Sequence, residues 1–108
     1  MSVNKVILLG NVGSDPEMRY PEPGRAIAYL SLATNETRGP NKMEVTEWHN
    51  LVMGGNNAQL AERYIRKGTR LYAEGYLRTR EYTDRMKITR KKTEIIVEKI
   101  EILGRASE

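Results

Sequence analysis

The chain has 108 residues, 18 of them Lys or Arg and 14 Asp or Glu, for a net charge of +4, a length expected to form one domain over 1–108. It has no cysteine and one histidine, which excludes disulfide scaffolds, thiol catalysis, zinc knuckles and any two-histidine metal site. A hydrophobic share of 39% and a charged share of 30% suit a soluble folded domain, and no apolar run approaches the roughly 18 residues of a membrane span. No basic leader precedes the first apolar run, so no signal peptide is read, and a cytoplasmic protein is expected.

Val3–Leu9 is rich in β-branched and apolar residues and reads as a strand stopping at Gly10-Asn11. Asp15-Pro16 and the stretch from Pro21 to Gly24 read as turns. Ala26–Thr34 is a second strand, apolar on both faces over part of its length. After a turn at Arg38–Asn41, a third strand runs over Val45–Met53 and ends at two glycines and two asparagines. A helix follows over 58–67, with Asn56 or Asn57 as N-cap and Leu60, Tyr64 and Ile65 on one side. Gly68 stands where a left-handed C-terminal glycine belongs. Thr69–Tyr82 is a long alternating strand, and a polar loop leads to a fifth over Thr93–Leu103. A mainly β chain in this order predicts a five-stranded Greek-key OB-fold barrel with one helix between strands three and four.

Nothing in the pattern supports catalysis. His49 and Glu47 share a strand face, but the pair makes neither a triad nor a metal site. The segment GNVG at 10–13 lacks the spacing of a phosphate loop or of a dinucleotide loop. No cofactor or metal is expected.

Binding fits better. Residues 63–92 hold 11 basic and 3 acidic groups, net +8, while the flanking segments are each net −2. Such a block is the electrostatic footprint of a polyanion site. One face of the fourth strand carries Leu71, Ala73, Gly75, Leu77 and Thr79, a core pattern. The other carries Arg70, Tyr72, Glu74, Tyr76, Arg78, Arg80 and Tyr82. Guanidinium groups grip phosphates, and aromatic rings stack on unpaired bases. Tyr and Arg also favour protein interfaces, and for Tyr72 and Tyr76 both readings stay open. Trp48 shares a face with Thr46, Asn50 and Val52, which is not a clean core face. Arg85, Lys87, Arg90, Lys91 and Lys92 read as a mobile basic arm.

The segments NKVILLGNVGSDPEMRY at 4–20, TEWHNLV at 46–52 and YIRKGTRLYAEGYLRTREYTD at 64–84 resemble the bacterial single-stranded DNA-binding protein family, and the likeness covers nearly the whole chain. The resemblance implies an OB-fold homotetramer, a dimer of dimers, that wraps single-stranded DNA in replication, recombination and repair. It implies stacking at Trp48 and Tyr82, and a basic DNA path through Lys5, Arg19, Arg66, Lys67, Arg78 and Arg80. It implies subunit contacts at His49 and Tyr72. The first strand, with Val3 and Val6, offers an edge for pairing between subunits.

The chain departs from the family pattern in several places. Arg38 stands where many members have a third stacking tryptophan, and Gly54 where they have a phenylalanine. Asn50 and Asn56 replace basic residues, and the turn at Gly39-Pro40 is short. Fewer stacked bases and a larger part for charge, Arg38 included, are therefore expected. The sequence ends at Glu108, where the family usually continues into a linker and an acidic tip. Recruitment of other proteins through a tail is accordingly not expected of this chain, which reads either as the DNA-binding domain alone or as a compact member. The runner-up is a primosomal replication-restart-like OB-fold assembly protein, and an RNA-binding OB domain is a third reading.

Overall fold

Four strands, one helix and two further strands follow one another along residues 1–104, the part of the chain that this computed structural model describes. The last residues of the expected domain, 105–108, and any expectation about a tail lie outside the described residues.

β1 (Val6–Val12) begins later than the sequence suggests and runs straight through Gly10-Asn11. That pair is no turn. It is where β1 leaves one neighbour for another, because Asn11 pairs with Arg70 on one side and Ala33 on the other. β2 (Glu17–Glu22) lies in a region the sequence gives to turns. Its composition, EMRYPE, lacks strand propensity, and only Met18 packs against the core. It survives as an edge strand, where Pro21 removes no needed donor, beside a register irregularity between Arg19 and Glu22. The barrel therefore has six strands rather than five, and the helix falls between β4 and β5 rather than between strands three and four.

β3 (Arg25–Arg38) and β4 (Met43–Gly54) pair antiparallel in unbroken register from Ile27↔Gly54 to Arg38↔Met43. Ala26, Ala28, Leu30 and Leu32 of β3 and Leu51 and Met53 of β4 point inward and are buried. α1 (Gly55–Tyr64) starts from Gly54, not from Asn56 or Asn57, which lie inside its first turn. Asn57 instead donates to the Glu98 carbonyl, tying the helix to β6 (Thr89–Gly104). Ala58, Ala61 and Ile65, at helical spacing, plug the barrel, while Tyr64 stays exposed. Burying Ile65 contributes about 1.5–3 kcal/mol. The helix ends at Tyr64, and the link back into the barrel is stitched by Gly68 N–H to the Val12 carbonyl (2.7 Å) and Val12 N–H to the Thr69 carbonyl (2.9 Å).

β5 (Arg70–Thr83) and β6 form the longest pairing, extending beyond the barrel as a hairpin arm. The sheet order is β1-β5-β6-β4-β3-β2, with β1–β3 pairing to close it; β4 and β6 run parallel and all other pairs antiparallel. Between Glu74↔Lys99 and Gly75↔Val97 the register slips by the extra residue Glu98. At this bulge the strands approach so closely that a β-carbon on Gly75 would lie 2.0 Å from the Ile96 carbonyl oxygen. Past the bulge Leu77, expected in the core, is half exposed.

Candidate nucleic-acid interface

Cross-strand partners share a face of a sheet, and the registers build one surface from five strands. Trp48 stands opposite Ala33, and Asn50 opposite Ser31. Tyr29 pairs with both Val52 and Glu17, and Ile27 with Arg19. Val52 meets Ile96 in the parallel pair, and Ile96, Glu94, Lys92 and Arg90 stand opposite Tyr76, Arg78, Arg80 and Tyr82. This outward face therefore brings together Trp48, Arg19, Tyr29, Arg78, Arg80 and Tyr82.

Trp48 is 58% exposed, and its indole leans on the backbone just after β1. A β-carbon on Gly13 would lie 2.4 Å from the indole Cζ3, so only glycine leaves room for the ring there. His49, its neighbour in sequence, turns to the opposite face of β4, where its Nε2 is 2.9 Å from the Thr34 hydroxyl.

The arm faces a groove of about 570 Å³ lined by Arg19, Tyr20, Ile27, Tyr29, Arg80 and Lys92. A second hollow of about 220 Å³ shares Tyr29 and Lys92 and adds Asn50 and Glu94. Arg80 donates from Nε to Oε1 of Glu94 at 2.8 Å, and this carboxylate raises the guanidinium further above an arginine's already high pKa. The Arg80 guanidinium also lies 5.7 Å from the Tyr82 ring, and that of Arg78 5.4 Å from the Tyr76 ring. These cation–π contacts hold rings and cations in an alternating row.

The expected mobile arm is an ordered hairpin. Asp84 accepts the Met86 and Ile88 amides through Oδ1 and the Arg90 guanidinium through Oδ2 at 2.6 Å. The Arg90 ion pair, and then the Ile88 amide, hold its carboxyl below the usual range. Arg85, Lys87 and Lys91 are exposed around this turn. Among the described residues they, Lys67 and Arg78 form no ion pair, whereas Arg19 pairs with Glu17 and Arg38 with Glu36.

Four basic candidates stand apart from this face: Arg38 and Lys91 fall on the opposite parity of β3 and β6, and Arg66 and Lys5 are engaged elsewhere. Arg66 donates from Nη1 to the Glu62 and Ile65 carbonyls at 2.9 and 2.6 Å, so it caps the helix C-terminus, where a cation is favoured. Lys5 pairs with Glu74 at 3.4 Å on the outer face of β1 and β5. That face also carries Ile7 and Leu9, which are 57% and 46% exposed, and Tyr72, whose hydroxyl donates to Glu74. Val3 is exposed ahead of β1. Val6 differs from expectation: it packs against the core, because the inward parity of β1 falls on its even-numbered residues, and Ile7 and Leu9 present the apolar edge instead.

Tyr29, Tyr20, Gly13 and Glu94 were not singled out from the sequence. The alternation of Ala28 and Leu30 with Ile27, Tyr29 and Ser31 carried a signal for Tyr29. Among the described residues no group of three or more His, Cys, Asp or Glu side chains could hold a metal, and no helix is long and apolar enough to cross a membrane.

Residues 3–103 match the model of the single-strand binding protein family. A single-stranded DNA-binding protein of Bacteroides thetaiotaomicron is 45% identical over 109 aligned positions, covering 96% of this chain and 68% of that protein. A solved structure, Plasmodium falciparum SSB in complex with ssDNA, superposes with a TM-score of 0.85 at 32% identity, over 96% of this chain and 97% of that one.

Proposed function

The chain belongs to the single-strand binding protein family, and from that membership we propose that it binds single-stranded DNA with little regard to sequence and protects it during replication, recombination and repair. The observation that carries this reading is the exposed Trp48 indole, seated against Gly13 on the same face as Arg78, Arg80 and Tyr82. Open rings give π-faces to unpaired bases, and duplex DNA has none to offer along its length. Cations between the rings take the phosphates. Arg19, Lys67, Arg85, Lys87 and Arg90 extend the basic path. The protein acts by holding its ligand and not by catalysis.

Assembly follows from the opposite side of the barrel. The β1 edge with Ile7 and Leu9, next to Val3 and Tyr72, pairs two copies, and His49 lies at a further subunit contact, giving a homotetramer built as a dimer of dimers. Its place of action is the bacterial cytoplasm, on the nucleoid. The test is quenching of the single tryptophan by oligo-dT, oligo-U and duplex DNA. Strong quenching by oligo-dT and little by duplex is expected; equal response to all three, or none, would overturn the reading.

A further inference from the structure

Tyr29 stands on β3 between Ala28 and Leu30, which are buried, so its side chain is turned to the outward face. It lies outside the core cluster, and its ring is not needed to fill the barrel. Both hollows are lined by Tyr29 and by Lys92. The larger, at about 570 Å³, falls within the roughly 300–1,000 Å³ of small-ligand sites. Tyr20 also lines it, and the Tyr20 hydroxyl donates to Glu62 of α1. That bond ties the edge strand β2, which has little strand propensity of its own, to the helix and steadies that side of the groove. Among the described residues Lys92 forms no ion pair, whereas Arg19 and Arg80, the other cations lining the groove, are each paired with a carboxylate.

We infer that Tyr29 and Lys92 form a subsite for one nucleotide, with Tyr29 stacking on its base and Lys92 taking its phosphate. The inference rests on the single-stranded DNA reading above and adds a further stacking position to it. The outward rungs of the β3–β4 ladder are Ala33↔Trp48, Ser31↔Asn50, Tyr29↔Val52 and Ile27↔Gly54, and the rings they offer are Trp48 and Tyr29. The two rungs that carry a ring are about 13 Å apart at the rise of a strand, too far to share a base, so each ring serves a base of its own. A phenol ring stacks on any base, and the subsite therefore adds affinity without reading sequence. Lys92 gives up no ion pair on meeting a phosphate, and the contact releases the counterion that the phosphate held.

The test uses oligo-dT carrying one 5-iodouracil, which under ultraviolet light bonds to an aromatic ring in contact with it, placed in turn at each position of the oligonucleotide. Trypsin separates the two rings: Tyr29 is the one tyrosine of peptide 26–38, and Trp48 the one tryptophan of peptide 43–63. Adducts are expected on both peptides, from iodouracils at different positions. Tyr29→Leu should weaken oligo-dT binding about tenfold and leave the salt slope as it is, and Tyr29→Phe should bind as the parent does. Lys92→Gln should flatten the slope of log K against log[salt] by about 0.7. An adduct on 43–63 without one on 26–38, undiminished binding by Tyr29→Leu, or an unchanged slope in Lys92→Gln would overturn the subsite and leave DNA binding intact. Absence of tryptophan quenching together with absence of any adduct would overturn both readings. Should Tyr29→Leu fail to fold, the adducts of the unaltered protein and the Lys92→Gln slope decide.

Discussion

Gly13 lies against the Trp48 indole so closely that a β-carbon there would stand 2.4 Å from Cζ3 and 3.0 Å from Cη2. The glycine sets where the ring can rest and leaves it 58% exposed. Gly13→Ala should push the indole off its seat and weaken oligo-dT binding by an amount approaching that of Trp48→Ala, about 1–3 kcal/mol, with little change in the melting temperature. A fluorescence titration alongside a thermal melt measures both. Undiminished binding by either variant would remove Trp48 from the stacking surface.

Gly54 is open to a ring. Its backbone is extended, with φ −125°, and the nearest atom to an added β-carbon is the Ala26 carbonyl oxygen at 3.9 Å. It stands opposite Ile27, on the groove side of β3. Gly54→Phe should therefore fold and bind oligo-dT more tightly. With roughly five of the basic residues engaging phosphates, the slope of log K against log[salt] should be about −3.5 per subunit. The phenylalanine should leave that slope unchanged, because a ring releases no counterion. A nearly flat salt dependence in the parent would refute the weight given to charge.

The arm owes its order to Asp84. Its pKa is depressed in the folded state by the Arg90 pair and by the Ile88 amide, so its contribution is fully present above the unfolded value of about 3.9. That contribution is lost as pH falls through the lower folded value. At neutral pH the hairpin tip should hold, and it should loosen only in acid. Asp84→Asn keeps an acceptor for the Met86 and Ile88 amides but removes the ion pair. Faster amide exchange at those two residues at neutral pH is expected; unchanged exchange would mean that Arg90 does not brace the turn.

Ile7 and Leu9 form the apolar edge, so Ile7→Lys with Leu9→Lys should dissociate the assembly while sparing the barrel, since both side chains point away from the core. Light scattering across a dilution series reads the mass. A variant that remains a tetramer would move the interface elsewhere.

Strand alternation alone put Arg78, Arg80 and Tyr82 on one face, because a period of two survives along a paired strand. The same logic gave Leu77 the right face but not its burial: it stands opposite the buried Ile95, yet lies where the hairpin runs out past the core, and is half exposed. Tyr29 was hidden because its strand is apolar on both sides, and only barrel closure decides which side is inward. Glu94 was hidden for another reason: its nearness to Arg80 depends on a hairpin register that the Asp84 turn fixes. β2 could not be read because an edge strand can be built from residues with no strand preference. The exchange of Val6 for Ile7 and Leu9 on the outer face of β1 is a shift of one residue, which in a strand exchanges the faces.

The path of β1 has a consequence for the order of folding. The β3–β4 and β5–β6 pairs are hairpins that can each zip from their own turn, but β1 must find β5 across most of the chain, Val6 against Gly75 and Leu9 against Tyr72. Contacts so far apart in sequence form late, because loop-closure entropy opposes them until the rest is in place. Pulse-labelled amide exchange should therefore protect β5–β6 before β1, and simultaneous protection would contradict this order. The strand that closes the barrel last bears the apolar edge and leads into Gly13, so the seat of the Trp48 ring and the outer face of β1 are completed in the same late step.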